Sequence, residues 1–171
     1  RSNTNESIID KIRKIRRMKD IHIQERRELI SQEVRNDMDP KNGAFIKTRK
    51  PDLLFFDIGS KEIIDLKSQQ LHSYLDQKYK LISFEAETKC VEAHLESHTD
   101  NLTEQKEIHR TSFFDKDRMV LYFNLGSGQL VRLNGQEIDI INNGDGGVYF
   151  NENLDEIKPD FNSNIDLFKI L

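Results

Sequence analysis

Two carboxylates and a lysine in the middle of the chain have the types and spacing for metal-dependent hydrolysis. Asp52 opens one apolar run, and Asp65 and Lys67 close the next. Two carboxylates can hold one or two divalent cations, Mg²⁺ or Mn²⁺, while a lysine orients the attacking water. The spacing therefore admits a catalytic site made of Asp52, Asp65 and Lys67.

This spacing has two interpretations. Nucleases of the PD-(D/E)xK type place an Asp at one strand end and an acidic-x-Lys on the partner strand. Pro51-Asp52 and Asp65-Leu66-Lys67 satisfy that pattern, and Glu28 or Glu33 could supply a third carboxylate. In the other interpretation Asp52 simply begins a strand, and Asp65 and Lys67 point to solvent. Because 33% of the residues are charged, such a short motif also matches by chance.

Five basic side chains near the N-terminus form the densest positive run of the chain. Clustered positive charge contacts phosphates with salt-sensitive affinity that does not depend on base sequence. The net charge of −4 gives no general attraction to nucleic acid, so DNA binding requires a local patch of this kind. Neighbouring acidic residues favour instead a solvated helix face. The candidate DNA-binding residues are Arg13, Lys14, Arg16, Arg17 and Lys19.

Cys90, His94 and His98 are spaced by four and would share one face of a helix. Three ligands over two turns span about 12 Å at 1.5 Å per residue, too far for one ion. The sequence therefore predicts no metal site here, although pairing of the two histidines stays open.

An α+β fold must position these side chains. Apolar spacings of three and four predict a helical pair over residues 6–37. Strands at 53–56 and 62–66 predict an antiparallel hairpin, and 44–48 is a further short candidate. Two middle helices follow, the first capped by Ser68 and running to about Leu81, the second over 85–97 with Ser83 as its cap. A C-terminal antiparallel β meander begins with a strand at 119–125 and returns across Gly126-Ser127-Gly128.

We divide the chain into a basic helical segment (1–39), an α+β domain (40–150) and a polar tail (151–171). The tail ends in helical spacing without a capping residue, so we expect the native protein to continue. The length allows one modest core. The expected core residues are Phe55, Ile63, Leu71, Leu75, Val120, Tyr122, Leu130 and Leu133.

Several stretches resemble the region that precedes the ATPase module in phage- and plasmid-type primase–helicases. They are the entry Gly43-Ala-Phe-Ile-Lys-Thr-Arg, the strand Leu53-Leu-Phe-Phe-Asp, the junction Asp65-Leu-Lys-Ser with Leu71, Leu75 and Tyr79 after it, and the pattern Tyr-Phe-Asn-Leu-Gly…Asn-Gly-Asp-Gly-Gly-Val-Tyr-Phe that ends at Phe150. The resemblance covers about residues 43–150.

The resemblance implies a non-catalytic accessory domain of a mobile-element or phage replication protein that binds DNA or positions subunits. It implies no cofactor in this piece, and as partners DNA, the chain's own downstream helicase module and further copies of the chain. It also makes residues 65–68 an ordinary strand-to-helix junction. No phosphate-binding Gly-x-x-x-x-Gly-Lys-Ser/Thr motif occurs in these residues, so any ATPase activity would reside in another module. A metal-dependent nuclease and a protein-interaction or oligomerisation module are the alternatives.

A single cysteine and the lack of any apolar run of about 18 residues suggest a reducing compartment without membrane insertion. We expect the cytoplasm of a bacterial or archaeal host cell.

Overall fold

The computed structural model describes residues 6–50, 52–135 and 137–151. Helices dominate the first part of the chain and antiparallel strands the last, so the predicted α+β class is confirmed. The chain divides into two compact units, Arg1–Glu107 and Ile108–Leu171. We call them unit 1 and unit 2.

Unit 1 begins with the predicted helical pair, α1 (Ile8–Arg17) and α2 (Ile23–Asn36). The hydroxyl of Ser7 caps α1 by accepting a hydrogen bond from the Asp10 amide at 3.2 Å. A π-helical turn that contains Pro40 (Asp37–Asn42) follows α2 and leads into the first strand.

The sheet of unit 1 has three antiparallel strands in the order β1 (Gly43–Lys47), β2 (Leu53–Asp57) and β3 (Ile63–Asp65). The predicted hairpin is therefore confirmed and gains β1 as a third strand. Two helices follow, α3 (Gln69–Tyr79) and α4 (Ala86–Asp100). One sheet face and the helices share a single apolar cluster, which includes Ile12, Ile30, Phe45, Phe55, Ile64, Leu71, Leu75, Tyr79, Val91 and Leu95.

Ser68 occupies the predicted N-cap position of α3, whereas the predicted cap Ser83 of α4 is wrong. The Ser68 hydroxyl donates to the carbonyl oxygen of Asp65 at 2.7 Å and makes no side-chain cap for α3. The residue that precedes α4 is Glu85 rather than Ser83, and the helix continues to Asp100.

The described residues of unit 2 lie almost entirely in strands and turns. Four of them form the predicted antiparallel meander in sequence order: β5 (Ser112–Asp115), β6 (Val120–Gly126), β7 (Gln129–Asn134) and β8 (Glu137–Asn142). The short strands β4 (Ile108–His109) and β9 (Tyr149–Phe150) pair in parallel, and a 3-10 turn, Asp145–Gly147, precedes β9.

The core of unit 2 is a small cluster made of Val120, Tyr122, Leu130, Val148 and Phe150. Of the expected core residues of the whole chain, Leu133 is wrong, because the register places it opposite Leu121 and Ile138 on the other sheet face. The remaining expected residues are buried: Phe55, Ile63, Leu71, Leu75, Val120, Tyr122 and Leu130.

Candidate nucleic-acid interface

The basic side chains of α1 lie around its solvent side. Ile12 and Ile15 are buried, so they fix the inward face of the helix. With about 100° between successive residues, Arg13, Lys14 and Arg17 point away from that face. All three are exposed. The structure therefore brings three of the five predicted residues onto one outer surface.

Two of the five arginines and lysines have acidic partners. Arg13 lies 3.4 Å from the Asp10 carboxylate one turn earlier, in a highly exposed pair. Arg16 donates to Glu87 at the start of α4, with its Nε at 2.9 Å. This hydrogen bond raises the pKa of the Arg16 guanidinium, and the negative charges of Glu87 and Glu85 add to the shift. Arg16 therefore links α1 to α4.

The other three cations are exposed and could contact an anionic ligand. Lys14, Arg17 and Lys19 are exposed, and within the described part of the chain none of them makes an ion pair. Lys19 lies beyond the end of α1, after the C-cap residue Met18. Exposed cations without a carboxylate partner are the form in which Lys and Arg contact phosphate.

A small cavity lies beside this surface. Its volume is about 270 Å³, and Arg26 donates from one of its guanidinium nitrogens to the Arg16 carbonyl oxygen at 3.2 Å. Glu85 and Glu87 also line it and offset most of the charge of its three arginines, Arg16, Arg26 and Arg27. The outer side of α1 is therefore a better candidate interface than this cavity.

The carboxylates of the central hairpin have local structural roles. The Thr48 hydroxyl lies 3.4 Å from the Asp52 carboxylate, and the Thr48 amide donates to the Asp52 carbonyl oxygen at 3.1 Å. Asp65 accepts a hydrogen bond from the Lys67 amide at 2.8 Å, which closes the turn between β3 and α3. Pro51 lies outside the described residues.

Asp52 and Asp65 nevertheless lie at the same end of the hairpin. Asp65 is the last residue of β3 and pairs with Leu54, whereas Asp52 immediately precedes the first residue of β2, Leu53, and is outside the paired register. Lys67 follows the last paired residue of β3 and lies in the turn.

A third carboxylate for such a site is not supplied by α2. Glu33 pairs with Lys11 at 3.1 Å, and Glu28 lies near His94. In the described ranges, no group of three or more His, Cys, Asp or Glu side chains is arranged to hold a metal ion.

The histidines of α4 are packing residues. The His98 ring contacts Phe45 edge-on, with ring centroids 5.3 Å apart. Burial lowers the pKa of His94 and of His98, and the nearby Arg35 guanidinium lowers both further. Cys90 lies 3.8 Å from the Ser31 hydroxyl. The neutral imidazole is therefore the favoured form at both positions.

One network of polar side chains, around Asp57, was not predicted from the sequence. Asp57 is buried at the end of β2, where it accepts from the Tyr74 hydroxyl at 3.1 Å and from the Ser60 amide at 2.7 Å. The Lys78 ammonium donates to the same tyrosine oxygen at 2.9 Å. Burial raises the pKa of Tyr74, and the charge of Asp57 adds to the shift. The network fastens α3 to the hairpin beside a cavity of about 760 Å³.

Its only sequence signal was an aspartate directly after the aromatic pair of β2. That signal does not distinguish a buried carboxylate from one at a solvated strand end.

Comparisons of the chain with protein-family models, with curated proteins and with solved structures find no match. Within the described residues, every helix is too short or too polar to cross a bilayer.

Proposed function

We propose that this chain is a non-catalytic accessory module of a mobile-element or phage replicative helicase–primase, which binds DNA or positions subunits. The observation that carries the DNA-binding part is the outer surface of α1, where Lys14 and Arg17 are exposed and unpaired in the described structure. The replicative context rests on the resemblance of residues 43–150 to the pre-helicase region.

Electrostatics supports a modest, local interaction. The net charge of −4 opposes general attraction to DNA, so the contact must be confined to a small surface. Lys14, Arg17 and Lys19 supply two or three phosphate contacts, which gives weak binding that is strongly reduced by salt. Such a surface holds DNA near a separate catalytic module without reading its sequence.

Charge reversal tests this proposal. The variant Lys14→Glu/Arg17→Glu/Lys19→Glu should lower DNA affinity by about tenfold or more, and the slope of log affinity against log salt should fall by roughly one per lost phosphate contact. Fluorescence anisotropy with labelled DNA at several salt concentrations measures both quantities.

A matched control separates the local surface from overall charge. Lys89→Glu/Arg110→Glu/Lys116→Glu changes the net charge equally at exposed positions elsewhere. We expect this control to lose much less affinity. Equal losses in the two variants, or no loss in the α1 variant, would remove α1 from the interface.

A metal-dependent nuclease is the second candidate, and one observation favours it. Asp65 ends β3 and Asp52 directly precedes β2, so both carboxylates lie at one end of the antiparallel hairpin, as two ligands of one cation would need to. The turn-closing hydrogen bond of Asp65 weighs against it, because that carboxylate already has a structural role. Cleavage of DNA or RNA in the presence of Mn²⁺, abolished by Asp65→Asn, would support the nuclease.

A further inference from the structure

One face of the four-stranded sheet in unit 2 is apolar and open. Two rows of paired residues cross all four strands on this side. The first row runs from Phe114 through Leu121 and Leu133 to Ile138, and the second from Ser112 through Phe123 and Val131 to Ile140. We call this surface the open face. Its apolar members are Phe114, Leu121, Phe123, Val131, Leu133, Ile138 and Ile140.

The exposure of these side chains is unusual. Ile138 and Ile140 are 71% and 66% exposed, and Phe114 and Phe123 are 44% and 38% exposed. A sheet that meets water on one side normally alternates apolar and polar residues, so that its solvent face is polar. Here the opposite face carries the core residues Val120, Tyr122 and Leu130, and yet the open face is apolar as well.

The charge distribution restricts what can cover the open face. Among the described strand residues, none that faces this side is charged, and its polar members are Ser112, Gln129 and Asn142. The charged residues of the sheet lie on the other side, where Arg132 and Asp139 pair at 2.7 Å. DNA would find no cation here, and a charged peptide would find no counter-ion.

An identical surface meets these requirements. Two uncharged apolar faces have no like charges to repel each other, although each whole chain carries a net charge of −4. Two sheets pack face to face at about 10 Å with their strands roughly aligned, and β-branched and aromatic side chains interdigitate in such an interface. A two-fold axis would bring the same face together from both copies, so that each contact between two different residues occurs twice.

We propose that the open face is a self-association surface that packs against the same face of a second copy of this chain. The inference deepens the subunit-positioning part of the proposed function and rests on it. Four strands spaced by about 4.8 Å and two side-chain rows give a patch on the order of 300 Å² in projection. That is small for a stable dimer, so the expected association is weak and depends on protein concentration.

Sedimentation velocity of the full chain over a range of micromolar concentrations tests the proposal. The wild type should shift from monomer to dimer as concentration rises. Ile138→Glu should weaken dimerisation by about tenfold or more, because each copy would bury an unpaired carboxylate. Ile82→Glu is the matched control, since Ile82 is an exposed isoleucine of unit 1 (58%). It should dimerise like the wild type.

A charge-swap experiment guards against misfolding of a single variant. Ile138→Lys should also be monomeric on its own, whereas a mixture of Ile138→Glu and Ile138→Lys should associate more tightly than either variant alone, because the two copies then bring opposite charges into the interface. Far-UV circular dichroism verifies that each variant is folded.

Three results would overturn the inference. The first is a wild type that stays monomeric at all concentrations, as expected if another protein or another segment of the same chain covers the open face. The others are an equal weakening of dimerisation by Ile82→Glu and a lack of association in the mixture. DNA binding is measured separately. If the chain dimerises without binding DNA, only the DNA-binding proposal is contradicted. If it binds DNA as a monomer, only this inference is contradicted.

Discussion

The two units solve the problem of covering a β-sheet in different ways. In unit 1, helices pack on the three-stranded sheet, so Phe45, Phe55 and Ile64 join Leu71 of α3 and Leu95 of α4 in one large cluster. In unit 2, no α-helix covers the meander within the described residues, and its own short strands cover only one face. A sheet with one uncovered apolar face is not a complete layered domain. The described part of unit 2 therefore leaves its open face available for the association proposed above.

The exposed surfaces of the units differ in chemistry as well. The outer side of α1 in unit 1 carries Lys14 and Arg17, whereas the open face of unit 2 carries no charge. Phosphate contacts weaken as salt rises, and burial of apolar surface is insensitive to salt or strengthened by sulfate and phosphate. The two proposed contacts, with DNA and with a second copy, should therefore respond to salt in different ways.

The largest expected effect comes from truncating one core side chain in each unit, which tests whether the two units are stabilised independently. Leu71 and Leu130 are both fully buried, and replacing either with alanine should cost about 2–5 kcal/mol. Leu71→Ala should reduce the protection of backbone amides from hydrogen exchange in unit 1 and leave that of unit 2 unchanged. Leu130→Ala should do the reverse. Because the described cluster around Leu130 has fewer members than the cluster around Leu71, the Leu130 variant should unfold its unit more completely.

Hydrogen exchange resolved by segment measures both variants, with Ile82→Val as a control at an exposed site. Loss of protection in both units together would show that they unfold as one cooperative body, and the comparison would then fail.

The sequence was informative where local periodicity decides the structure. Ile8, Ile12 and Ile15 recur at helical spacing, and α1 forms there with Ile12 and Ile15 buried. Strand positions followed from turn residues such as Gly126 and Gly128, both of which adopt positive φ. Elements of this kind depend on residues a few positions apart, so a single sequence contains enough information to find them.

The sequence was less informative where the structure depends on residues that are far apart in the chain. Leu130 and Leu133 were both expected in the core, but an odd separation on a strand puts them on opposite faces, and only tertiary packing determines which face is covered. Likewise the candidate site could be found as a basic run, but the commitment of Arg16 to Glu87 joins residues 71 positions apart. No local pattern indicates such a pair.

A smaller effect is expected from pH, and it should be confined to unit 1. Burial and Arg35 lower the pKa of His94 and His98, whereas Glu28 and Asp39 partly oppose the shifts. The unfolded chain, with histidine pKa near 6.5, therefore binds more protons than the folded one as pH falls from 7. The stability of unit 1 should be complete above about pH 6.5 and decline as pH falls towards the lower folded values.

Segment-resolved hydrogen exchange between about pH 7 and pH 5.5, corrected for intrinsic exchange rates, measures this trend. His94→Gln/His98→Gln should flatten it. A slope in unit 1 that persists in the double variant would assign the pH dependence to other groups.

The smallest expected effect on stability concerns two aspartates, one in each unit, whose carboxylates accept hydrogen bonds that close a turn. Asp65 accepts from the Lys67 amide at 2.8 Å after β3, and Asp115 accepts from the Asp117 and Arg118 amides at 3.1 Å each after β5. If both carboxylates only close turns, alanine should cost about 0.5–1.5 kcal/mol at either position. Asparagine keeps an accepting oxygen, so Asp65→Asn and Asp115→Asn should be nearly neutral in denaturant unfolding.

The pair also decides between accessory module and nuclease, because a turn residue and a metal ligand respond differently to asparagine. Loss of one negative charge is tolerated by a hydrogen-bonded turn but weakens a divalent-cation site severely. Asp115 is the control, since its position in unit 2 has no part in the hairpin motif. Mn²⁺-dependent cleavage that disappears in Asp65→Asn and survives in Asp115→Asn would make Asp65 a ligand. Equal behaviour of the two variants leaves it a turn residue, and DNA contact then falls to α1.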